Sequence, residues 1–255
     1  MKRLFGVAAA ALLLGGVDSV QADTIYNLTG NWSDANNPNG AWSYNWDIGM
    51  PITVHQSNWA PGTFSTPQPA WAFQNQNVGQ GGPVGQIPAW FLSNGTAGAG
   101  FDMPVGRVIV HSNDPVNGVG GGSTPANVTW TSPINGTIII SGDTWLARKT
   151  LGRSNNWSLT FNSSTLASGS VTSSDAFTSA SPDAFGSFTE TVHVGDVVTF
   201  FATKIGSLGE LEGVDLTIDA IPNAAPEPAT LTLLCIGIAG IAGYGWRKRK
   251  PQTIA

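Results

Sequence analysis

From Arg107 onward the chain is a series of short β-branched and aromatic runs, each ended by Gly, Asn, Asp, Ser or Pro. They are Arg107 to His111, Val128 to Thr131, Thr137 to Ser141, Trp157 to Phe161, Phe188 to Val194, Val197 to Ala202 and Leu216 to Ile221. This is the punctuation of strands. Two of the runs alternate. Phe188, Val192 and Val194 share one face against Thr189, Thr191 and His193, and Leu216, Ile218 and Ala220 oppose Asp215, Thr217 and Asp219. One apolar face and one wet face call for antiparallel pairing, and Gly195-Asp196 between two runs predicts a tight turn. No stretch of the body carries a convincing helical apolar period. The expected fold class is all-β, an antiparallel β-sandwich.

The part before Arg107 has a different texture. Asp23 to Gly106 is rich in Asn, Gly, Pro and Trp, with strands expected only at Ile25 to Leu28, Ile52 to His55 and Ala89 to Leu92. The body from Asp23 to about Ala225 holds about 200 residues, enough for one large core or two small ones. The only cysteine is Cys235, beyond the body, so no disulfide and no thiol nucleophile is available to it. The body carries fourteen acids against five bases. That sign opposes phosphate binding and argues against a nucleic-acid partner.

Both ends of the chain are targeting segments by composition. Lys2 and Arg3 precede the apolar run Leu4 to Val17, and Val20-Gln21-Ala22 places small residues where signal peptidase cuts, so residues 1–22 read as a signal peptide. At the other end come Pro226-Glu227-Pro228, the uncharged stretch Ala229 to Trp246, and the block Arg247-Lys248-Arg249-Lys250. Eighteen residues of helix rise about 27 Å, close to a hydrocarbon core. The basic block stays cytoplasmic. The trio resembles a PEP-CTERM sorting tail, here residues 223–255. That resemblance implies export, a transient inner-membrane anchor made by a single C-terminal transmembrane helix, and release by an exosortase-type membrane protease to the cell surface or beyond.

The body, residues 23–222, carries further motifs. Asn37-Pro38-Asn39-Gly40-Ala41-Trp42-Ser43-Tyr44-Asn45-Trp46 is followed by Trp130-Thr131-Ser132-Pro133 with Gly136, Ile138, Ile140 and Gly142. Phe188, Val192, Val194, Gly195-Asp196 and Phe200 close the series. Their order resembles a jelly-roll-like module of exported bacterial proteins, often likened to carbohydrate-binding modules. Asn45 departs from that module's usual glycine, and His111 is followed by Ser112-Asn113 rather than Pro-Gly. The resemblance implies that the first strand, near Tyr26 to Leu28, lies beside the last, near Leu216 to Ile218.

Residues able to carry chemistry are few. His55, His111 and His193 lie far apart and lack metal-ligand spacing, and no nucleophile elbow, HExxH or phosphate-binding loop is present. Glu210, Glu212 and Asp215 form the densest carboxylate group. Glycosidase chemistry would need two carboxylates at a set spacing. Calcium on a loop is the better functional reading of these oxygen ligands, against a plain solvated acidic loop. Trp42, Trp130, Trp145 and Trp157 fall in strand-like contexts and read as core. Trp59 and Trp71, among Asn, Pro and Gln, are the candidates for an exposed platform on which a sugar ring stacks. Three classes follow: a non-catalytic matrix or envelope protein that grips polysaccharide, a glycan-active enzyme, and a structural, self-associating surface protein. The first leads, with no cofactor required.

Overall fold

In the computed structural model, residues 22–60, 64, 66, 68–72, 87–95, 97–113, 124–223, 237, 238, 241 and 244 are described. The chain divides into two compact units, Asp23–Ile221 and a second made of Met1–Ala22 with Pro222–Ala255. In the second unit, Gly237, Ile238, Ile241 and Tyr244 are helical. The expected signal peptide and membrane helix otherwise fall outside the described residues. Among those described, no helix is long and apolar enough to cross a membrane.

The body is built from strands β1 (Thr24–Asn27), β2 (Trp42–Asp47), β3 (Met50–Pro51), β4 (His55–Trp59), β5 (Gln68–Ala72), β6 (Ala89–Leu92) and β7 (Val108–His111). These are followed by β8 (Ala126–Thr131), β9 (Gly136–Leu146), β10 (Ser154–Phe161), β11 (Ser164–Thr172), β12 (Asp183–Val192), β13 (Val197–Ile205) and β14 (Leu211–Pro222). The larger sheet runs β12-β9-β14-β7-β6-β5-β4, and the smaller runs β11-β10-β13-β8-β2-β3. Every pairing whose register is defined is antiparallel, as the alternation at β12 and β14 requires.

Strand β14 organises the larger sheet. Its first part pairs with β7, Leu211 opposite His111, and its later part pairs with β1, Tyr26 opposite Ile218. The Leu28 amide donates to the Leu216 carbonyl at 2.9 Å. The two ends of the body thus meet on one strand, as expected from the sequence. The Asn37 motif is a clamp. Its side-chain amide donates to the carbonyls of Tyr44 and Ile52 at 2.7 and 2.8 Å, and its side-chain oxygen accepts from the Tyr44 amide at 2.8 Å. One asparagine therefore holds the entry to β2 against the segment that follows β3.

Two apolar clusters result. The main one lies between the sheets, with Trp42, Tyr44, Val128, Trp130, Leu159 and Phe200 from the smaller sheet facing Trp71, Trp90, Val110, Ile138, Ile140 and Leu216 from the larger. The second lies on the other face of the larger sheet. Ala70, Ala72, Phe91, Ile109, Trp145 and Leu211 are covered there by Phe64, Met103 and, at its margin, Phe101 and Phe177. All members of both clusters belong to Asp23–Ile221, so the body holds its own core.

Burial on both faces explains the strands missed in the sequence. In β5, Ala70 and Ala72 face the outer cluster while Trp71 faces the inner one, so no polar alternation marks it. In β14, Gly213 leaves room for the Trp145 ring. A Cβ built on Gly213 would stand 2.1 Å from Trp145. Gly213→Ala should therefore lower stability by about 1–3 kcal/mol through overpacking, read as a reduced denaturant midpoint with unchanged slope. An unaltered midpoint would contradict this packing.

Candidate functional site

The residues singled out in the sequence go to different places. Trp59 is 2% exposed and Trp71 5% exposed, which corrects the expectation that they form an exposed platform. Trp59 closes β4 and packs against Phe91 at 5.2 Å and Phe64 at 5.7 Å between ring centroids. Trp71 lies in the inter-sheet core, 4.8 Å from the His55 ring, and donates its indole N–H to the Ser33 carbonyl at 2.8 Å. Their Asn- and Pro-rich surroundings had suggested loops. The segments are instead strands of a sheet covered on both sides.

The carboxylate group is corrected as well. Glu210 and Glu212 are fully buried, not solvated on a loop. Glu212 and Asp215 lie on opposite faces of β14, being an odd number of residues apart in a strand, so the three do not converge on a calcium ion. Among the described residues no group of three or more His, Cys, Asp or Glu is arranged to hold a metal ion. Asp215 is on the outer face and pairs with Arg107. Beside it, burial and then the charge of Asp215 raise the Asp143 carboxyl above its usual range, while Arg107 lowers it.

Glu210 and Glu212 belong to a polar seam that stitches the sheets together. Arg148 grips Glu210 Oε1 with Nε at 2.7 Å and Nη2 at 2.6 Å, and its guanidinium lies 5.5 Å from the Phe101 ring centre. Asn155 of β10, in the smaller sheet, donates to the Glu210 carbonyl at 3.1 Å and to Glu212 Oε2 at 3.0 Å, and accepts from Ser112 Oγ at 2.8 Å. The Thr144 hydroxyl is 2.8 Å from Glu212 Oε1 and 2.7 Å from the Gly213 carbonyl. A hydroxyl has one proton to give. If Thr144 donates to Gly213, Glu212 must supply the proton between itself and Thr144. Burial pushes the Glu212 carboxyl from its ordinary 4.5 up to about 8, against the opposing bonds from Thr144 and Asn155 and with the charge of Asp183 adding to the rise. Glu212 thus holds its proton well above the usual carboxylate range.

The sign of the linkage follows. Unfolded Glu212 loses its proton near pH 4.5, whereas the folded chain keeps it to about 8. Its stabilisation is complete below the lower value and is lost as pH rises through the upper one. The body should lose about a few kcal/mol of stability between mildly acidic and mildly alkaline pH, seen as a falling thermal midpoint. Glu212→Gln should flatten that slope. A slope identical in the variant would refute the assignment.

The open surfaces of the two sheets differ in charge. Part of the larger sheet's outer face is covered by the second cluster, and its open part carries Asp143, Asp215 and Asp219. On the smaller sheet's outer face the rows defined by register carry no charge, and the charged Asp47 lies beyond them at the far end of β2. Register places Ser43, Thr129, Thr199, Thr160 and Thr165 in one row across β2, β8, β13, β10 and β11. The next row holds Asn45, Asn127, Phe201, Ser158 and Ser168, and a third holds Thr203, Asn156 and Ser170. Towards β2 the face is bonded to itself: Asn45 donates to Asn127 at 2.9 Å, and the hydroxyls of Thr129 and Thr199 meet at 3.1 Å. Towards β11 it is open, with Asn156, Thr165, Ser168 and Ser170 exposed and Phe201 half-buried. The sequence signal was present at β10, where Asn156, Ser158 and Thr160 alternate with Trp157, Leu159 and Phe161.

Residues 224–250 match the family model described as the PEP-CTERM protein-sorting motif. The C-terminal segment is a PEP-CTERM sorting motif. Its Pro226-Glu227-Pro228 and Arg247 to Lys250 lie outside the described residues. A PEP-CTERM motif implies export, a membrane-associated sorting signal at the C-terminus and processing by exosortase-type machinery. No curated protein sequence matches the chain. Among solved structures it is similar to the K3 cleaved adhesin domain of Lys-gingipain from Porphyromonas gingivalis w83, at 14% identity and a TM-score of 0.28, over 51% of this chain and 85% of that one. It is also similar to a family 35 carbohydrate binding module from Clostridium thermocellum, at 18% identity and a TM-score of 0.25, over 44% and 91% of the respective chains.

Proposed function

We propose that the PEP-CTERM segment delivers a jelly-roll-like, non-catalytic module to the cell surface or matrix, where it holds a neutral polysaccharide. The grip is the outer face of the smaller sheet. One observation carries this reading: towards β11 the face presents uncharged hydroxyls and amides of β13, β10 and β11 around the half-buried ring of Phe201. Sugar hydroxyls need donors and acceptors but no charge, and an aromatic ring offers an apolar surface for the pyranose face. The strands stand ~4.8 Å apart, close to the rise per residue of an extended β-1,4-linked pyranose chain. A chain lying across the strands, along one row, therefore meets successive strands in step.

The order of events at the membrane is part of the proposal. The segment 229–246 anchors the exported body in the inner membrane, with Arg247 to Lys250 inside. Cleavage near Pro226-Glu227-Pro228 then frees it. The protein needs no metal or cofactor for this role. The carboxylates Glu210 and Glu212 serve the fold, one against Arg148 and the other between Thr144 and Asn155.

The test is retention of the body, residues 23–223, on neutral polysaccharides compared with a charged one. Phe201→Ala should weaken binding about tenfold, or about 1–2 kcal/mol. Asn156→Ala should weaken it less, with little change in thermal midpoint. Full retention by both variants would remove the smaller sheet from the binding role.

A further inference from the structure

We infer that β11 is a self-association edge, through which two copies of this chain pair antiparallel and join their smaller sheets into one. Strand β11 pairs with β10 on one side only and ends its sheet. In an antiparallel strand about half the backbone N–H and C=O groups face away from a given neighbour, so β11 presents a row of them with no strand opposite among the described residues. Such a row is a template for another strand unless the chain blocks it.

Of the other edges, β12, β4 and β3 are blocked and β1 is only four residues long, whereas β11 is both long and unblocked by its own sequence. Strand β12 carries Asp183 and Glu190 and is bulged beside Gly186, whose φ is 90°. Strand β4 shifts register between Gln56 and Trp59, and β3 has two residues. Strand β11 reads STLASGSVT, without charge or proline. Its only irregularity lies opposite Leu159/Thr160, so Ala167 to Thr172 is a regular run.

The partner is a second copy because of what the strand would meet in itself. A two-fold axis sets each residue of β11 against a residue of the same strand. A charged edge would then oppose like charges, which β11 lacks. Ser168 and Ser170 are exposed and small enough to lie against their counterparts, and hydroxyl pairs across a strand pair are favourable. The joined sheet would double the uncharged face without burying a charge. The pairing does not depend on the glycan reading.

Sedimentation equilibrium on the body should show a monomer–dimer equilibrium. Ser168→Glu with Ser170→Glu should be monomeric at an unchanged thermal midpoint, and so should the corresponding double lysine variant. An equimolar mixture of the two should restore the dimer, as a heterodimer. In the unaltered body, amides within Ala167 to Thr172 that do not bond to β10 should exchange more slowly with deuterium as concentration rises. A body monomeric up to its solubility limit, a dimer indifferent to the glutamates, or edge amides whose exchange ignores concentration would each overturn the inference.

Discussion

The larger sheet has to be covered on both sides, and most of what is distinctive in this body follows from that constraint. Strands β5, β6 and β7 carry apolar side chains in both directions, so the smaller sheet alone cannot bury them. Phe64, Met103 and their neighbours complete the job from outside. With Cys235 as the only cysteine, no cross-link helps, and stability rests on this double burial. The same constraint makes Trp59 and Trp71 structural. It also leaves the smaller sheet as the one whose outer face, towards β11, is open and polar without charge.

Within that apolar interior the polar seam around Asn155 serves registry. A leucine pair would join the sheets without regard to direction. Asn155, with one acceptor and two donors spent on Ser112, the Glu210 carbonyl and Glu212, accepts only one alignment of β10 against β14. A protonated Glu212 makes the seam neutral where it is deepest, and the charge that remains, Glu210, is matched by Arg148 at its margin. The arrangement spends carboxylates on structure that the sequence alone would offer to calcium.

Much of the architecture was legible because one wet face writes itself into the sequence. The alternation at Leu216 to Ala220 predicted β14, the jelly-roll-like resemblance implied β1 beside it, and the motif around Trp130 marked β8 and β9. Legibility failed where burial or exposure is uniform. Strand β5 is buried on both faces, and β11 (STLASGSVT) has too few apolar side chains, so neither shows an apolar period. The candidate site failed for a related reason. Trp59 and Trp71 have polar sequence neighbours, but the cover that buries them comes from residues distant in the chain, which local pattern cannot report. Glu210 and Glu212 looked like a solvated loop because Arg148 and Asn155, which take them inside, lie more than fifty residues away.

The central claim is that ligand contact belongs to the uncharged face of the smaller sheet. Chemical-shift mapping by NMR, titrating the body with a neutral β-linked oligosaccharide, tests it most directly. The account predicts shifts at Asn156, Ser158, Phe201 and Thr203, with the amides around Asp143 and Asp215 unmoved. Shifts gathered on that acidic part of the larger sheet, with the smaller sheet silent, would contradict it.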